Sequence, residues 1–594
     1  MADVKERADI ALADQWNLED IINGTQRWEE LFAEIKAYPP QFAAYASKLN
    51  EAAVLQSALD LYTDVSEKLE RLFIYARMHR DEDNANTTYQ AMSDRAQMVA
   101  VEWGAATAFL APEILQIPEA QLNAWVQADL LPYARFLSEL TRQRAHILTP
   151  AEEALLAQLG EVLSTADEVF TMFDDADLRF PTIKDEKGQD VEITHGRYLL
   201  LMESHDRRVR KDAFTGLYDT FAAWKNTLAT TYAGSVKKDI AMARIRKYDS
   251  ARQAVMDDEN VPEPVYDSLV EAVNRHLPAM HKYIGLRKQS LGLDELHMYD
   301  IYVPLVQDID RQFTYQEAQA MVAEGLKPLG NPYLADMAAA YTDRWIDVYE
   351  NRGKTSGAYS WGTYNAHPYV LLNYQGRLDD VFTLAHELGH AMHSYYSNKH
   401  QSFLNAGYGL FLAEVASTTN ESLLIEHMLR QNNDKEFRKY LLNHYLEQFR
   451  GTVYRQTMFA EFERDVHAMV ERGEPATAEN MYAMYKALNE KYYGLGMISD
   501  DAIGYEWSRI PHFYRAFYVY KYATGFSAAV ALADGILKEG SPAVERYMQF
   551  LSAGCSKDPL DILRSAGVDM TTPQPVETAL QTFGRLVDEL AALG

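Results

Sequence analysis

The chain has 594 residues, with 57 Lys and Arg against 86 Asp and Glu, a formal net charge of −29. That balance repels phosphate backbones and anionic lipid, so nucleic acid and membrane surfaces are excluded as expected partners. Hydrophobic residues at 47 % supply large cores, and the single cysteine, Cys555, rules out intrachain disulfides and thiolate zinc cages.

Gly (30) and Pro (20) are scarce beside the roughly 12 % of average usage, which favours long helices. The start, MADVKERADIALADQW, has neither the basic end nor the apolar segment of a secretory signal. No apolar run of bilayer length stands out and mean hydropathy is −0.32, so a soluble cytoplasmic protein is expected.

Residues 5–175 predict helix after helix. Leu55, Leu59, Tyr62, Val65, Leu69, Leu72 and Ala76 recur at spacings of three and four, a stripe that faces a core. Asp64, Glu67, Lys68 and Arg71 lie off it, on a solvated face. Leu178–Ile183 and Val191–Thr194 flank a Gly-bearing polar loop and predict a hairpin. Helix resumes from about 200 to 295, and Met298–Val306, with its proline, predicts an extended connection. Ser356–Gly376 is rich in Gly, Tyr and β-formers, and Tyr369–Tyr374 is the strongest strand signal. Helices fill nearly all the rest, with no internal repeat and no low-complexity linker.

Residues 386–390 read HELGH. Four residues apart on a helix, His386 and His390 share a face about 6 Å apart along the axis, and both imidazoles reach one metal ion. Glu387 lies beside that ion and takes a proton from metal-bound water, whose pKa zinc lowers to about 7. Asp379 and Asp380 suit the helix N-terminus.

A catalytic zinc needs a third protein ligand. The Gly and His that the metzincin pattern requires are His393 and Tyr396 here, so that pattern fails. His393 follows His390 by three residues but sits about 10 Å along the axis from His386, where a shared ion demands a bent helix. Its other reading is a hydrogen-bonding residue behind the ligands. Glu414, in GLFLAEVASTTNESLL, starts a new helix after the flexible NAGYG stretch, which lets that helix cross the first and complete a His-His-Glu set. Glu421, two turns on, reads either as a partner for a ligand His or as a surface glutamate.

These runs resemble the oligoendopeptidase F family, zinc metallopeptidases related to thimet oligopeptidase. The matching residues are SGAYS (356–360), PYVLLNY (368–374), DDVFTLAHELGHAMHS (379–394) and FLAEVASTTNE (411–421). Outside them, HDRRVRKDAF (205–214), MYDIYVP (298–304) and IPHFYRAFYVYKYATGFSAA (510–529) match as well.

The resemblance implies a mainly helical fold, with a deep channel between two halves and a small β element beside the active-site helix. The hairpin signal sets a boundary at about 110–200, which divides the chain into an N-terminal helical region at 1–110, a helical and hairpin region at 111–200, and a catalytic domain at 201–594. The resemblance also implies one Zn2+ ion held by His386, His390 and Glu414, with Glu387 as base. The substrates are oligopeptides, whose backbone pairs with the strand carrying Tyr369, Leu371 and Asn373 by β-augmentation.

In the same comparison His512 and a following tyrosine stabilise the oxyanion, as neutral donors suited to a water-poor cleft. Read as one helix, Tyr518 and Tyr522 share a face and Tyr520 points elsewhere. Tyr518 is favoured, and Tyr522 and Tyr520 are left as substrate contacts. An aromatic core stripe is the competing reading of this segment.

The leading expectation is an endopeptidase for short peptides. A carboxypeptidase or dipeptidyl carboxypeptidase is the alternative, because Arg509 and Arg515 flank His512 and such enzymes clamp a C-terminal carboxylate. A peptide-binding protein without turnover predicts a damaged base or ligand, against which the intact HELGH counts. Oligomeric state does not follow from the sequence, and no EF-hand loop marks a second metal.

Overall fold

The computed structural model describes residues 4–306 and 311–594, apart from the side chains of 150 and 154. The predicted stripe forms one face of a 31-residue helix, Ala52–Glu82: Leu55, Leu59, Val65, Leu72 and Ala76 are fully buried. Tyr62 and Leu69 pack half-buried against the same core, while Asp64 and Lys68 pair at 2.8 Å on the outer side. The next helix, Thr87–Thr107, opens under a cap in which Asn86 Oδ1 accepts from the amides of Thr88 and Tyr89. Trp28, Ile35, Phe42 and Trp103 fill the space among these helices. Each large apolar side chain so buried contributes about 2 kcal/mol. The described chain is mainly helical, at 72 %.

One stretch departs from the sequence reading. Thr87–Gln116 reaches a mean hydropathy of 1.3 over 18 residues, enough by length and composition to cross a bilayer. It sends Met92, Ala96, Val99, Trp103, Leu110 and Ile114 into the core, and 28 % of that window is buried.

The hairpin is present but shorter than predicted, Thr182–Lys184 against Asp190–Glu192, antiparallel, with Gly188 at φ +76° in the turn. Met298–Val306 is not simply extended. Leu296–His297 pairs parallel with Met497–Ile498, and Met298–Asp300 then forms a 3-10 turn. Asp300 explains the turn. It is fully buried, accepts from the His297 amide, and holds Arg207 (2.9 Å) and Arg210 (2.7 Å). Burial pushes its carboxyl up, but the two arginines outweigh it and hold it below the usual range.

A three-stranded sheet has the order Ile346–Asp347, Tyr369–Leu371, Tyr359–Trp361. The first pair is parallel and the second antiparallel, with Ser360 opposite Val370. Asp347, fully buried, anchors the first strand through Arg7 (2.8 Å) and Lys354 (2.7 Å).

The chain groups into two compact units, each assembled from separated segments. Met1–Ile147, Arg311–His427 and Leu532–Gly567 form the first; Leu148–Asp310, Met428–Ala531 and Val568–Gly594 form the second. The sheet, the HELGH residues and Glu414 belong to the first unit, and His512 with the tyrosines around it to the second.

Candidate metal centre and active site

The HELGH motif lies in the helix Leu378–His400. Gly376 turns the chain at φ +84°, and Asp380 accepts from the amides of Gln375 (3.0 Å) and Arg377 (2.8 Å), which starts the helix. Leu378, Val381, Leu384, Ala385, Leu388, Ala391 and Met392 are buried, so this helix is enclosed on most of its circumference. His386 and His390 share the remaining half-buried face.

Glu414 comes from a second helix, Leu410–Gln431, as the crossing-helix reading requires. The approach is unusually close. A Cβ added at Gly389 would stand 2.5 Å from the Ser417 Cα and 2.8 Å from the Ala416 carbonyl oxygen, so only glycine fits between the backbones. Asn420, fully buried, donates from Nδ2 to the Ala385 carbonyl oxygen at 3.1 Å and fixes the register of the crossing. Sequence reasoning used neither Gly389 nor Asn420. The glycine inside the motif was the available signal, since a helix-interior glycine costs about 1 kcal/mol unless packing needs it.

The crossing makes three ligand atoms converge. His386 Nε2 and His390 Nε2 are 3.2 Å apart, and Glu414 Oε2 lies 3.3 Å and 3.4 Å from them. Atoms bound to a tetrahedral zinc ion at about 2.0–2.1 Å stand about 3.3–3.4 Å from one another, so this triangle fits such an ion. Among the described residues it is the only group of three or more His, Cys, Asp or Glu that could hold a metal. Glu421 hydrogen-bonds the other ring nitrogen of His386, Nδ1, as expected of a residue that orients a ligand.

Burial opposes a charge on His386, yet Glu414 and Glu421 push it up to about 10. Burial likewise raises Glu414, but hydrogen bonds from the two histidines hold it well below the carboxylate range. Glu387 is buried next to the triangle and makes no hydrogen bond within it. Burial pushes its carboxyl up; His386 and His390 pull it back, and Glu414 and Glu421 add to the rise.

His393 is outside the triangle. It is fully buried, its ring stacked 3.7 Å from Tyr408 and 5.0 Å from Phe550. Neither ring nitrogen has a hydrogen-bond partner, and burial pushes its pKa down to about 3. It packs as a neutral aromatic ring, and neither reading made of it, ligand or hydrogen-bonding residue behind the ligands, matches this geometry.

The strand prediction needs correction. Tyr369–Leu371 is the central strand, with Ile346–Asp347 on one side and Tyr359–Trp361 on the other, so neither edge is open to a peptide. Tyr369 and Leu371 are fully buried in the core of the first unit, and the Tyr369 hydroxyl donates to the Asn17 carbonyl oxygen at 2.9 Å. Asn373 is half-buried and donates to the carbonyl oxygens of Thr355 (3.0 Å) and Gly357 (2.8 Å), which shapes the turn before Tyr359. Among the described residues, the two outer strands of this sheet, Ile346–Asp347 and Tyr359–Trp361, each leave one side without a strand partner. An unbroken run of hydrophobic residues reads as the best strand because it is the most buried one, and the most buried strand is the least available.

In the second unit, His512 sits in a short 3-10 turn, Pro511–Tyr514, and Tyr520 opens the helix Tyr520–Glu539. Residues 512–522 are therefore not one helix. Tyr518 lies in the link, yet its ring meets Tyr522 edge to face at 5.4 Å and stacks 6.1 Å from His512. The Tyr522 hydroxyl makes a long contact, 3.4 Å, with His512 Nε2. These three form a half-exposed cluster. Partial desolvation, with Arg455 and Arg515 adding repulsion, pulls His512 below its usual pKa and keeps it neutral. Tyr520 is buried 5.0 Å from Tyr266, so as a substrate contact it fails: it is a core residue.

The sequence is similar to characterised families along nearly its whole length. A model described as peptidase family M3 matches residues 200–582, and one described as oligopeptidase F matches 113–180. Oligopeptidase PepF of Bacillus subtilis (strain 168) is 48 % identical over 591 residues, 99 % of this chain and 88 % of that protein. Oligoendopeptidase F of Enterococcus faecium has a solved structure that is 38 % identical, covers 96 % of this chain and 99 % of its own, and superposes with a TM-score of 0.75. A solved chain from Chlamydophila abortus, 34 % identical with complete coverage of both, superposes at 0.95. Family matches over most of the length, around a converged His-His-Glu triangle, make this chain a metallopeptidase of family M3, in its oligopeptidase F branch.

Proposed function

We propose that the chain is a zinc-dependent endopeptidase that hydrolyses internal bonds of oligopeptides in the cytoplasm. The observation that carries this reading is the triangle of His386, His390 and Glu414, spaced for one tetrahedral ion, with the buried Glu387 beside it. The net charge of −29 and the single cysteine suit a reducing compartment.

His386, His390 and Glu414 would hold the ion, with Glu421 fixing His386 through its second nitrogen. A bound Zn2+ lowers the pKa of coordinated water to about 7 and polarises the scissile carbonyl. Glu387 takes the proton from the attacking water and delivers it to the leaving amine nitrogen. Its place beside the triangle, with no hydrogen bond to any of the three residues, leaves its carboxylate available for that task. Of the two outer strands, the longer, Tyr359–Trp361, is the backbone edge assigned to an extended peptide, whose main-chain bonds tolerate many side chains. His512 and Tyr518 take, from the resemblance, the role of neutral donors to the oxyanion.

The carboxypeptidase alternative needs a cation free for a terminal carboxylate. Arg509 is engaged by Glu506 at 3.0 Å and by the Tyr218 hydroxyl at 3.3 Å. Arg515 lies 4.5 Å over the Tyr518 ring and makes no ion pair among the described residues, so it alone keeps that reading open.

The test is product mapping on an oligopeptide with an amidated C-terminus, using wild type and Glu387→Gln. Internal cleavage by wild type, with kcat about 10²- to 10⁴-fold lower in the metal-loaded variant, is expected. Equal cleavage by both overturns the role of Glu387, and no cleavage without a free C-terminus overturns the endopeptidase reading.

A further inference from the structure

We propose that Glu463 is a positioning residue for His512 and Tyr518: it grips the backbone of the link between them and so sets where both stand. The inference rests on the role given above to His512, and every residue it uses lies in the second unit.

The link turns at Phe517, which has φ +51°. A non-glycine residue, above all a bulky aromatic one, holds that left-handed conformation only where its surroundings enforce it. Two contacts from the helix Arg455–Glu471 do so. The Phe517 amide donates to Glu463 Oε1 at 2.7 Å, and the buried Phe517 ring meets the His467 ring at 4.5 Å. Glu463 and His467 are one turn apart on the same helix face. Tyr266 closes the other side of the ring at 5.9 Å.

Glu463 has no other evident task. It is fully buried, and its second oxygen, Oε2, meets no hydrogen-bond donor, so the Phe517 amide is its one polar tie among the described residues. Burial pushes its carboxyl well up; the Phe517 amide opposes that rise and Asp239 adds to it. Burying an ionisable side chain for one backbone hydrogen bond is costly unless that bond decides a conformation. Here the conformation is the turn between Pro511–Tyr514 and the helix that begins at Tyr520. If it opens, the Tyr518 ring leaves its packing against His512 and Tyr522.

The experiment measures kcat and KM on a quenched fluorescent peptide with the metal-loaded full chain. The variants are Glu463→Ala, Glu463→Gln, His512→Ala and the Glu463→Ala/His512→Ala double variant, with metal content and melting temperature followed in each. Loss of one oxyanion donor costs about 100-fold or more, so Glu463→Ala should lower kcat by about 10- to 100-fold, with KM within about twofold and metal content unchanged. Glu463→Gln keeps an accepting oxygen and should restore kcat. The double variant should be slower than His512→Ala alone by clearly less than the Glu463→Ala loss, because part of that loss runs through His512 and the rest through Tyr518.

The proposal is overturned if Glu463→Ala retains wild-type kcat, if Gln is as damaging as Ala, or if the two losses multiply. If Glu463→Ala does not stay folded, Glu463→Met, which fills the space without accepting, carries the same comparison. A normal kcat in His512→Ala brings down the role of His512 and this inference with it. A slow His512→Ala beside a normal Glu463→Ala brings down this inference alone.

Discussion

The metal centre and the aromatic cluster around His512 are built in opposite ways. At the candidate metal centre, the two histidines and the proposed base sit within five residues on one regular helix, and a second regular helix brings Glu414. Their geometry follows from helical spacing plus one close crossing. Around His512 no regular element spans the cluster. A 3-10 turn, a left-handed phenylalanine and the first turn of a helix place three rings together, and the grip comes from a residue about fifty positions earlier. A site on regular helices is robust to changes around it; a site on an irregular link depends on whatever holds the link.

The sharpest break in that comparison is at the ligands. Glu414→Ala should lose the metal and with it nearly all activity, whereas His393→Ala should keep close to one equivalent of metal, measured by metal analysis after dialysis. The reverse outcome would show that the triangle does not hold the ion. The His393 variant still pays for a cavity beside Tyr408 and Phe550, so it should melt earlier while staying loaded.

Next comes the crossing. Gly389→Ala puts a methyl group 2.5 Å from the Ser417 Cα. Overpacking of that kind costs about 1–3 kcal/mol, and forcing the helices apart should weaken metal affinity by about 10-fold or more. A competition titration with a chelator reads the affinity, and thermal unfolding reads the stability. Unchanged affinity would mean that the second helix adjusts without moving Glu414.

The third test is protonic. Zinc binds neutral imidazole, yet without metal the carboxylates push His386 up to about 10. Metal uptake near pH 7 should therefore release about one proton, measurable by calorimetry in two buffers of different ionisation enthalpy, and affinity should rise with pH up to that range. The same shifts act on the metal-free fold. The stabilisation from His386 is complete below its unfolded value of 6.5 and is lost as pH rises toward about 10. That from Glu414, whose pKa is depressed, is present above its unfolded value of 4.5 and is lost as pH falls further.

The smallest expected effect is at the central strand. Tyr369→Phe removes only the hydrogen bond to the Asn17 carbonyl, so stability should fall by about 1 kcal/mol with KM unchanged. A large rise in KM would return this strand to the substrate site.

Much of the site was legible in the sequence. The i, i+4 histidines, the adjacent glutamate and the acids at the helix start obey local rules that hold wherever the helix is placed. Glu414 and Glu421 were legible at one remove, because a flexible segment followed by a helix permits a crossing. The strand was misread for a physical reason: alternation and hydrophobicity report burial, and burial marks the middle of a sheet, not its free side. Helical spacing already turns Tyr520 away from Tyr518 and Tyr522, and its place in the core beside Tyr266, not among the substrate contacts, follows that spacing.

The sequence by itself determined the helical build and the helix face that carries His386 and His390, since both depend on residue types at short, fixed separations. Only the tertiary structure decided that Tyr369–Leu371 is the closed central strand, that Gly389 leaves no room for a Cβ against the second ligand helix, that His393 is a packed ring, and that Glu463 holds the Phe517 turn. Each of those is a contact between residues far apart in the chain, and no local spacing encodes which distant side chain arrives.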